Sequence, residues 1–320
     1  MAKFASAKSQ ATAVIKLLQS RTSNQGCFSE KKTSKGPERT NSVESNKVLK
    51  SVGTVRNYEQ ALTQVAKYAK NNKVRGGLRG VTPAIASEYL ELRSLEVGQK
   101  ALDMDRQALQ AMMQHVTYTL KLDETLYREK TKLTEKLKPR AYTHEQALYV
   151  TNAQTKPHQL ATEIALNAGL RAHELLTLRR IDDRKPDTRP TAKTKWLGKK
   201  GKRYTVKGKG GLVREVIIRE DIAEKLESQR LPTPIEIKDR SIRYQTYYNI
   251  NGGQKWSNSY SSASKRVLGW STGAHGLRHT YAQQRMRELK QHGLTRNQAL
   301  RTASQEMGHF RPEITEVYLR

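Results

Sequence analysis

The apolar pattern of this chain changes at Lys138-Pro139-Arg140, and that break constrains the fold more than any other feature of the sequence. Before it, apolar residues recur only at helical spacing, whereas after it helical stretches alternate with short β-type runs. A chain of 320 residues is expected to hold about two domains of ~100–200 residues each. We therefore predict a first domain over 48–138 and a second over 141–320, preceded by an N-terminal segment, 1–47.

The first domain is predicted to be an all-α helical bundle. Its first helix, Thr54–Asn71, carries apolar residues on one face. Thr82-Pro83 places a capping residue before a proline at the first helical position, a strong start signal for a helix that runs through Leu95. Two further helices are expected over Gln99–Thr117 and Glu124–Leu137. Four helices in about 90 residues make one small bundle.

The N-terminal segment is basic and strongly polar. Phe4–Leu18 predicts a short amphipathic helix, with Val14, Ile15 and Leu18 among its apolar residues. Residues 20–47 are dominated by Ser, Thr, Lys, Asn and Gly, a composition typical of a flexible linker. The sequence leaves open whether the short helix serves an oligomer contact, a DNA contact or no contact.

The second domain is predicted to be mainly α with a small β-sheet, an α+β fold. Two β-type runs, Lys202–Val206 and Val213–Ile218, flank a glycine-rich stretch and predict a hairpin. Arg243–Ile250 contains three tyrosines and is compatible with either strand or loop. Helices are expected over Thr143–Asn152, Pro157–Ala168, Arg171–Arg180, Asp221–Gln229, Ser257–Leu268, His275–Lys290 and Thr295–Met307, and a short one from Pro312.

The charge of the chain indicates a polyanionic partner. Lys and Arg number 59 against 30 Asp and Glu, a net charge of +29. Nucleic acid is the first candidate, because neutralising phosphates releases counterions and drives binding. Charge alone also fits a ribosomal or membrane-surface protein.

Cysteine count and hydropathy narrow the class of protein. The one cysteine, Cys27, excludes an intrachain disulfide and a cysteine-ligated metal cluster. Apolar runs fall short of the ~18 residues that a membrane span needs, so no membrane association is expected. A reducing, DNA-containing compartment, the bacterial cytoplasm and its nucleoid, is the expected location. The first 29 residues lack an acidic residue, which leaves an organellar transit peptide as the alternative.

Four residues near the C-terminus suggest a phosphodiester-binding site. His275 and Arg278 are three residues apart, His309 follows in Met-Gly-His, and Tyr318 lies nine residues past His309. His275 and Arg278 share a helix face near the helix N-terminus, where the helix dipole favours an anion.

A zinc site built on His275 and His279 is the alternative for this helix. The two histidines have the i, i+4 spacing of a zinc hydrolase, but Gly276 stands where the glutamate of His-Glu-x-x-His would be. A third ligand is not evident, so we predict no metal and interpret His279 as a buried, hydrogen-bonded residue.

Two earlier segments add cations. Arg171 opens a predicted helix after Gly169, with Glu174 one turn later; by itself the pair is typical of an ordinary helix ion pair. Lys209 lies between glycines at the predicted hairpin tip, where it can approach a DNA backbone, and Lys207 is the competing candidate. Further DNA contacts are expected from neighbouring basic residues, namely Lys207, Lys202, Arg203 and Arg214.

The order and spacing of these motifs resemble the tyrosine recombinase, or phage-type integrase, family. The resemblance covers 141–320, and the bundle before it resembles the core-binding domain of that family. The residues that carry it are Arg171 with Glu174, Gly-Lys209-Gly, His275-x-x-Arg278, Gly-His309 and Tyr318.

The resemblance implies site-specific DNA recombination. Tyr318 would attack the scissile phosphate, giving a 3′-phosphotyrosyl intermediate and a free 5′-hydroxyl, without metal, ATP or another cofactor. A phenol of ordinary pKa ~10 is a poor nucleophile and needs a positive, preorganised site. Arg171 and Arg278 would bind the non-bridging oxygens.

The resemblance also implies roles for the remaining residues. Lys209 would be the general acid for the leaving oxygen. His275 would take the tyrosine proton or hydrogen-bond the phosphate, and His309 would donate to a phosphate oxygen. Glu174 would orient the site, with His279 beside it, although a plain ion pair remains an alternative for Glu174.

Several biological roles share this chemistry. An integrase of a mobile element or phage is the first expectation, and a chromosome or plasmid dimer resolvase or a DNA invertase is the alternative. A type IB topoisomerase and a catalytically idle DNA-binding protein are less favoured. The expected partners are double-stranded recombination sites, copies of the same chain in a tetramer on two duplexes, and accessory DNA-bending or directionality factors.

Overall fold

The computed structural model of the protein describes residues 5–20, 49, 52–134, 138–240 and 242–320, without the side chain of Lys209. It contains two compact units, Met1–Lys136 and Leu137–Arg320. The linker expected over 20–47 lies, after its first residue, outside the described residues. In the described part of the chain, no helix has both the length and the apolar character that crossing a membrane requires.

The first unit is all helical. The amphipathic helix expected near the N-terminus forms and contributes Ala11, Val14, Ile15 and Leu18 to the core of this unit. At the start of α3 the Thr82 hydroxyl accepts a hydrogen bond from Ile85 N, and Pro83 occupies the first turn, which confirms the predicted start signal. The elements are α1 (Ala7–Ser20), α2 (Val52–Asn71), a 3-10 turn (Gly77–Gly80), α3 (Pro83–Ser94) and α4 (Gln99–Met112), which ends in a π turn (Met113–Thr117).

The helix predicted over Glu124–Leu137 is wrong for its described part, because residues 124–134 contain no helix. Side-chain amides bind the backbone there instead. Gln114 Nε2 donates to the carbonyls of Lys121, Leu122 and Glu124, at 3.1, 3.2 and 2.8 Å. Gln99 donates to the Glu129 carbonyl at 2.9 Å. These contacts hold the segment extended against the bundle.

The second unit is mainly helical with two small antiparallel sheets, which confirms the predicted α+β class. The predicted hairpin forms, with Lys202 opposite Ile218 and Lys207 opposite Val213. The elements are α5 (His144–Asn152), α6 (Lys156–Ala168), a 3-10 turn (Leu175–Thr177), β1 (Arg179–Arg180), β2 (Lys202–Lys207), a 3-10 turn (Lys209–Gly211), β3 (Val213–Ile218), α7 (Glu220–Glu227), β4 (Arg230–Asp239), β5 (Ile242–Tyr248), α8 (Gly253–Leu268), α9 (Gly276–Gln291), α10 (Arg296–Glu306), α11 (Pro312–Glu316) and a 3-10 turn (Val317–Leu319).

Two parts of this unit differ from the sequence-based expectation. The predicted helix Arg171–Arg180 is instead a turn, a 3-10 turn and the strand β1. The Glu174 carboxylate accepts from Arg171 N at 2.9 Å, which closes the turn, and the end of the segment is taken up by strand pairing of β1 with β2. Arg243–Ile250 resolves as strand β5, paired with β4. The sequence does not predict β4, because Pro232 and Pro234 disfavour a strand.

Leu18 tests whether α1 is part of the first unit. The Leu18 side chain is fully buried, so Leu18→Ala should lower the free energy of unfolding by about 2–5 kcal/mol. Lys16→Ala, on the exposed side of the same helix, should change it by less than about 0.5 kcal/mol. Urea unfolding followed by circular dichroism measures both, and equal effects would show that α1 does not pack as described.

Candidate active site

Gly169 determines where Arg171 lies. Gly169 ends α6 with φ 60°, and a Cβ there would lie 2.5 Å from the Tyr281 ring. Only glycine combines that backbone conformation with such a close approach. The chain therefore turns sharply after α6 and brings Arg171 over the C-terminal end of that helix. The Gly169 carbonyl, left free by the turn, accepts hydrogen bonds from Arg278 Nη1 and Arg214 Nη2.

The Glu174 carboxylate lies fully buried among arginines. Its oxygens accept from Arg171 Nη1 and Arg214 Nη2, both at 2.8 Å. Burial alone would raise the pKa of this carboxyl, but the charges of Arg214, Arg278 and Arg171 hold it well below its usual range. Glu174 therefore remains ionised and fixes two guanidiniums.

Arg278 is held by backbone carbonyls. It is completely buried, and its Nη2 donates to the Met307 carbonyl at 2.5 Å. Burial and the nearby charge of Arg171 lower the pKa of Arg278 to about 10, so it stays charged at neutral pH. A charged group held this way retains its orientation without solvent.

His309 contacts both Arg171 and Arg278. Its Nε2 lies 2.8 Å from Arg171 Nη2 and 3.2 Å from Arg278 Nη2. Arginine is only a donor, so Nε2 must accept and the proton lies on Nδ1. Nδ1 then donates to Thr315 Oγ1 at 3.1 Å. In this arrangement Nε2 is an acceptor. The family resemblance implies instead that His309 donates a hydrogen bond to a phosphate oxygen.

Tyr318 lies among the three predicted histidines. Its ring centroid is 4.7 Å from that of His279, 5.4 Å from His309 and 5.5 Å from His275. The Arg278 guanidinium lies 5.5 Å from the same ring. Tyr318 belongs to the 3-10 turn after α11, and this position places its ring beside Arg278.

All three histidines are neutral at physiological pH. Desolvation, and then the charge of Arg278, lower the pKa of His275 to about 4 and that of His309 to about 3. Desolvation lowers the pKa of His279 to about 4, with the Arg140 charge adding to the shift. His279 is buried and hydrogen-bonded to the backbone of Tyr318, as expected, while its Nδ1 has no hydrogen-bond partner among the described residues.

The predicted basic residues of the hairpin are placed differently from one another. Lys207, Lys202 and Arg203 are exposed. Lys202 pairs with Glu220 at 3.0 Å and Arg203 with Glu215 at 3.1 Å. The backbone of Lys209 lies in the turn between β2 and β3, and its side chain is outside the described part.

Arg214 does not lie on the surface, contrary to its predicted role as a DNA contact. Its guanidinium is buried, bound to Glu174 and, through Nη1 at 2.7 Å, to the Glu306 carbonyl. The alternation of β3 contained the signal, because Arg214 shares its strand face with the buried residues Val216 and Ile218. Thr315 carried no comparable signal, since only the fold brings it to His309.

Within the described residues, no group of three or more His, Cys, Asp and Glu side chains has the geometry of a metal site.

Solved structures share this architecture. XerH site-specific recombinase, bound to a palindromic difH substrate in a post-cleavage complex, aligns with a TM-score of 0.52 at 16% identity, over 87% of this chain and 78% of that chain. The Tn1549 transposon integrase with transposon right end DNA gives 0.51 at 15%, over 84% and 89%. A lambda integrase dimer on a COC′ core site gives 0.53 at 13%, over 84% and 88%. A lambda integrase tetramer on a Holliday junction gives 0.51 at 14%, over 83% and 71%.

This chain has the tyrosine recombinase fold. No protein-family model matches its sequence, and no curated protein does. At these identities the likeness to tyrosine recombinases establishes the fold and not the activity.

Glu174→Gln tests whether the stability of this fold depends on the buried Glu174 carboxylate. The variant leaves three guanidiniums without their counter-ion, so the free energy of unfolding at pH 7 should fall by about 3–5 kcal/mol. Glu163→Gln, which loses only a partly exposed ion pair with Lys225, should cost less than about 1 kcal/mol. Urea unfolding measures both, and equal losses would contradict the central role of Glu174.

The difference in unfolding free energy between wild type and Glu174→Gln should depend on pH. Because the folded pKa of Glu174 lies below its ordinary value of 4.5, its stabilisation is complete above that pH and is lost as pH falls through the folded pKa. The stability gap between wild type and Glu174→Gln should therefore be constant near neutrality and narrow in acid.

His309 should stay neutral with its proton on Nδ1 from about pH 5 to pH 8, because its pKa is lowered to about 3. Side-chain 15N chemical shifts measured across that range report charge and tautomer directly. Titration near pH 6.5, or an Nε2 proton, would contradict the hydrogen bonds described for His309.

Proposed function

We propose that this protein is a site-specific DNA recombinase that cleaves and rejoins DNA through a 3′-phosphotyrosyl bond on Tyr318. The observation that carries the proposal is the convergence of Arg171 and Arg278 on His309 Nε2, beside the Tyr318 ring. Two fixed guanidiniums next to a phenol form the arrangement that in-line attack on a phosphodiester requires.

The charge of the site supports a phosphoryl substrate. Arg171, Arg214 and Arg278 carry +3 and Glu174 carries −1, so the cluster has a net charge of +2. The transition state for attack of a phenolate on a phosphodiester carries two negative charges, which would balance the net charge of the cluster. Arg278 Nε is also buried without a hydrogen-bond partner among the described residues, which leaves a donor for a substrate oxygen.

The chemistry follows from the groups around Tyr318. As its oxygen bonds to phosphorus, the phenol loses its proton, and neutral His275, with its ring 5.5 Å away, is the base that we assign. The bond between phosphorus and the 5′-oxygen breaks, and that oxygen takes a proton from Lys209 as general acid. A 5′-hydroxyl of another strand reverses both steps, so bond energy is conserved without ATP.

We further propose that the chain acts as an integrase of a mobile element or phage, in a tetramer on two duplexes, in a DNA-containing cytoplasm. The lambda and Tn1549 integrases support this role, and the lambda tetramer on a Holliday junction supports the assembly. Dimer resolution or inversion is the alternative, which the XerH likeness supports. Accessory factors remain part of the proposal for either role.

A suicide-substrate assay tests the chemistry. We expect wild-type protein, in EDTA, with nicked DNA flanking its own gene, to form a denaturant-stable protein–DNA adduct. Tyr318→Phe should reduce adduct formation by more than about 1000-fold because it removes the nucleophile. Tyr149→Phe, at an exposed tyrosine on α5, should leave the yield unchanged.

The outcomes separate the competing functions. Tight DNA binding without any adduct would favour a DNA-binding protein over an enzyme. An adduct that persists in Tyr318→Phe would exclude Tyr318 as the nucleophile. Relaxation of supercoiled DNA by a monomer, without strand exchange, would favour a topoisomerase.

A further inference from the structure

The C-terminal end of α10 supplies consecutive groups to the site. The Glu306 carbonyl accepts from Arg214 Nη1 at 2.7 Å, and the Met307 carbonyl accepts from Arg278 Nη2 at 2.5 Å. Gly308, with φ 74°, then turns the chain, and His309 contacts both Arg171 and Arg278. The position of this helix end therefore determines where the guanidiniums and the imidazole lie.

The Glu306 side chain contacts residues other than the proposed reacting groups. Its carboxylate is completely buried and accepts from Arg285 Nε at 2.7 Å and Nη2 at 2.9 Å. The Tyr281 hydroxyl donates to it at 3.1 Å, and Trp196 N donates at 3.0 Å. Glu306 is thus fixed to α9 and to the loop before β2, while its own carbonyl orients Arg214.

Helix α9 holds the end of α10 at two points. Arg278 and Arg285 are seven residues apart, so they lie on one face of α9, two turns or about 10 Å from each other. Arg278 contacts the Met307 carbonyl, and Arg285 forms a two-point contact with the Glu306 carboxylate. A forked guanidinium–carboxylate pair fixes direction as well as distance, which an apolar contact does not.

We infer that Glu306, through its buried ion pair with Arg285, is a positioning residue for the active site. It does not touch the reacting atoms; it holds the end of α10 so that His309 and the Met307 carbonyl align Arg171 and Arg278. A buried ion pair adds little net stability compared with apolar residues of similar volume, so the pair's contribution here is to alignment. The inference rests on the proposed recombinase function for its kinetic consequence only.

Glu306→Gln is the first test, because it keeps the shape and removes the charge. The rate of covalent adduct formation should fall by about 10–100-fold, since misplacing catalytic groups by about 1 Å costs that much. DNA affinity should stay within about threefold, because exposed contacts are unchanged. Glu288→Gln is the matched control: Glu288 pairs with the same Arg285 at 3.0 Å but is partly exposed and does not bind α10, so its rate should equal that of wild type.

A second readout does not depend on activity. The 15N shift of His309 Nε2 reports its hydrogen bonds to Arg171 and Arg278, and it should move in Glu306→Gln but not in Glu288→Gln. A wild-type His309 spectrum in folded Glu306→Gln, or an unchanged rate, would overturn the inference. If Glu306→Gln does not fold, Arg285→Lys, which keeps the charge but loses the fork, takes its place with the same expectations.

The double variant Glu306→Leu/Arg285→Met separates alignment from stability. Replacing the pair by apolar residues should recover part of the urea unfolding midpoint that either single change lowers, because no charge is left buried alone; the Tyr281 hydroxyl and Trp196 N still lose their acceptor. The inference predicts that the adduct rate and the His309 shift stay perturbed; recovery of both with the midpoint would show a structural role only. If wild-type protein forms no adduct, the proposed function fails, and the His309 shifts still decide the inference.

Discussion

The buried Glu174 carboxylate is the interaction on which the rest of the site depends. It lies fully inside the second unit, bound to Arg171 and Arg214 and close enough to Arg278 for the three charges to keep it ionised. Without it, three guanidiniums, of which Arg214 and Arg278 are buried, would repel one another. With it, the cluster retains a net positive charge on guanidiniums that are held in fixed positions.

The surrounding helices, strand and turns hold these charged groups in fixed positions. The turn after α6, the strand β3, the helix α9 and the end of α10 contribute the arginines and the carbonyls of the cluster, and they come from distant parts of the sequence. His309 accepts from two arginines and donates to Thr315, so its neutral state follows from its contacts. These groups are held by backbone and buried side chains, which reduces the reorganisation that the proposed reaction would require.

The sequence predicted the residues of the site better than their contacts. The order and spacing of Arg171, His275, Arg278, His309 and Tyr318 singled them out, and the structure places these side chains close together. Arg214 was assigned to the DNA surface because its position in a basic run outweighed the alternation of β3. The helix expected over Glu124–Leu137 fails in its described part because side-chain amides take backbone hydrogen bonds that local propensity cannot anticipate. The one expected over Arg171–Arg180 fails because its end pairs with β2, a contact distant in the sequence.

The most direct test of the account is to identify the residue that becomes linked to DNA. Adduct from wild-type protein, digested with protease and nuclease, would be analysed by mass spectrometry for a peptide that carries a 3′-linked nucleotide. The account predicts the nucleotide on Tyr318, in the C-terminal peptide. A nucleotide on another tyrosine, or on a serine or lysine, would contradict it.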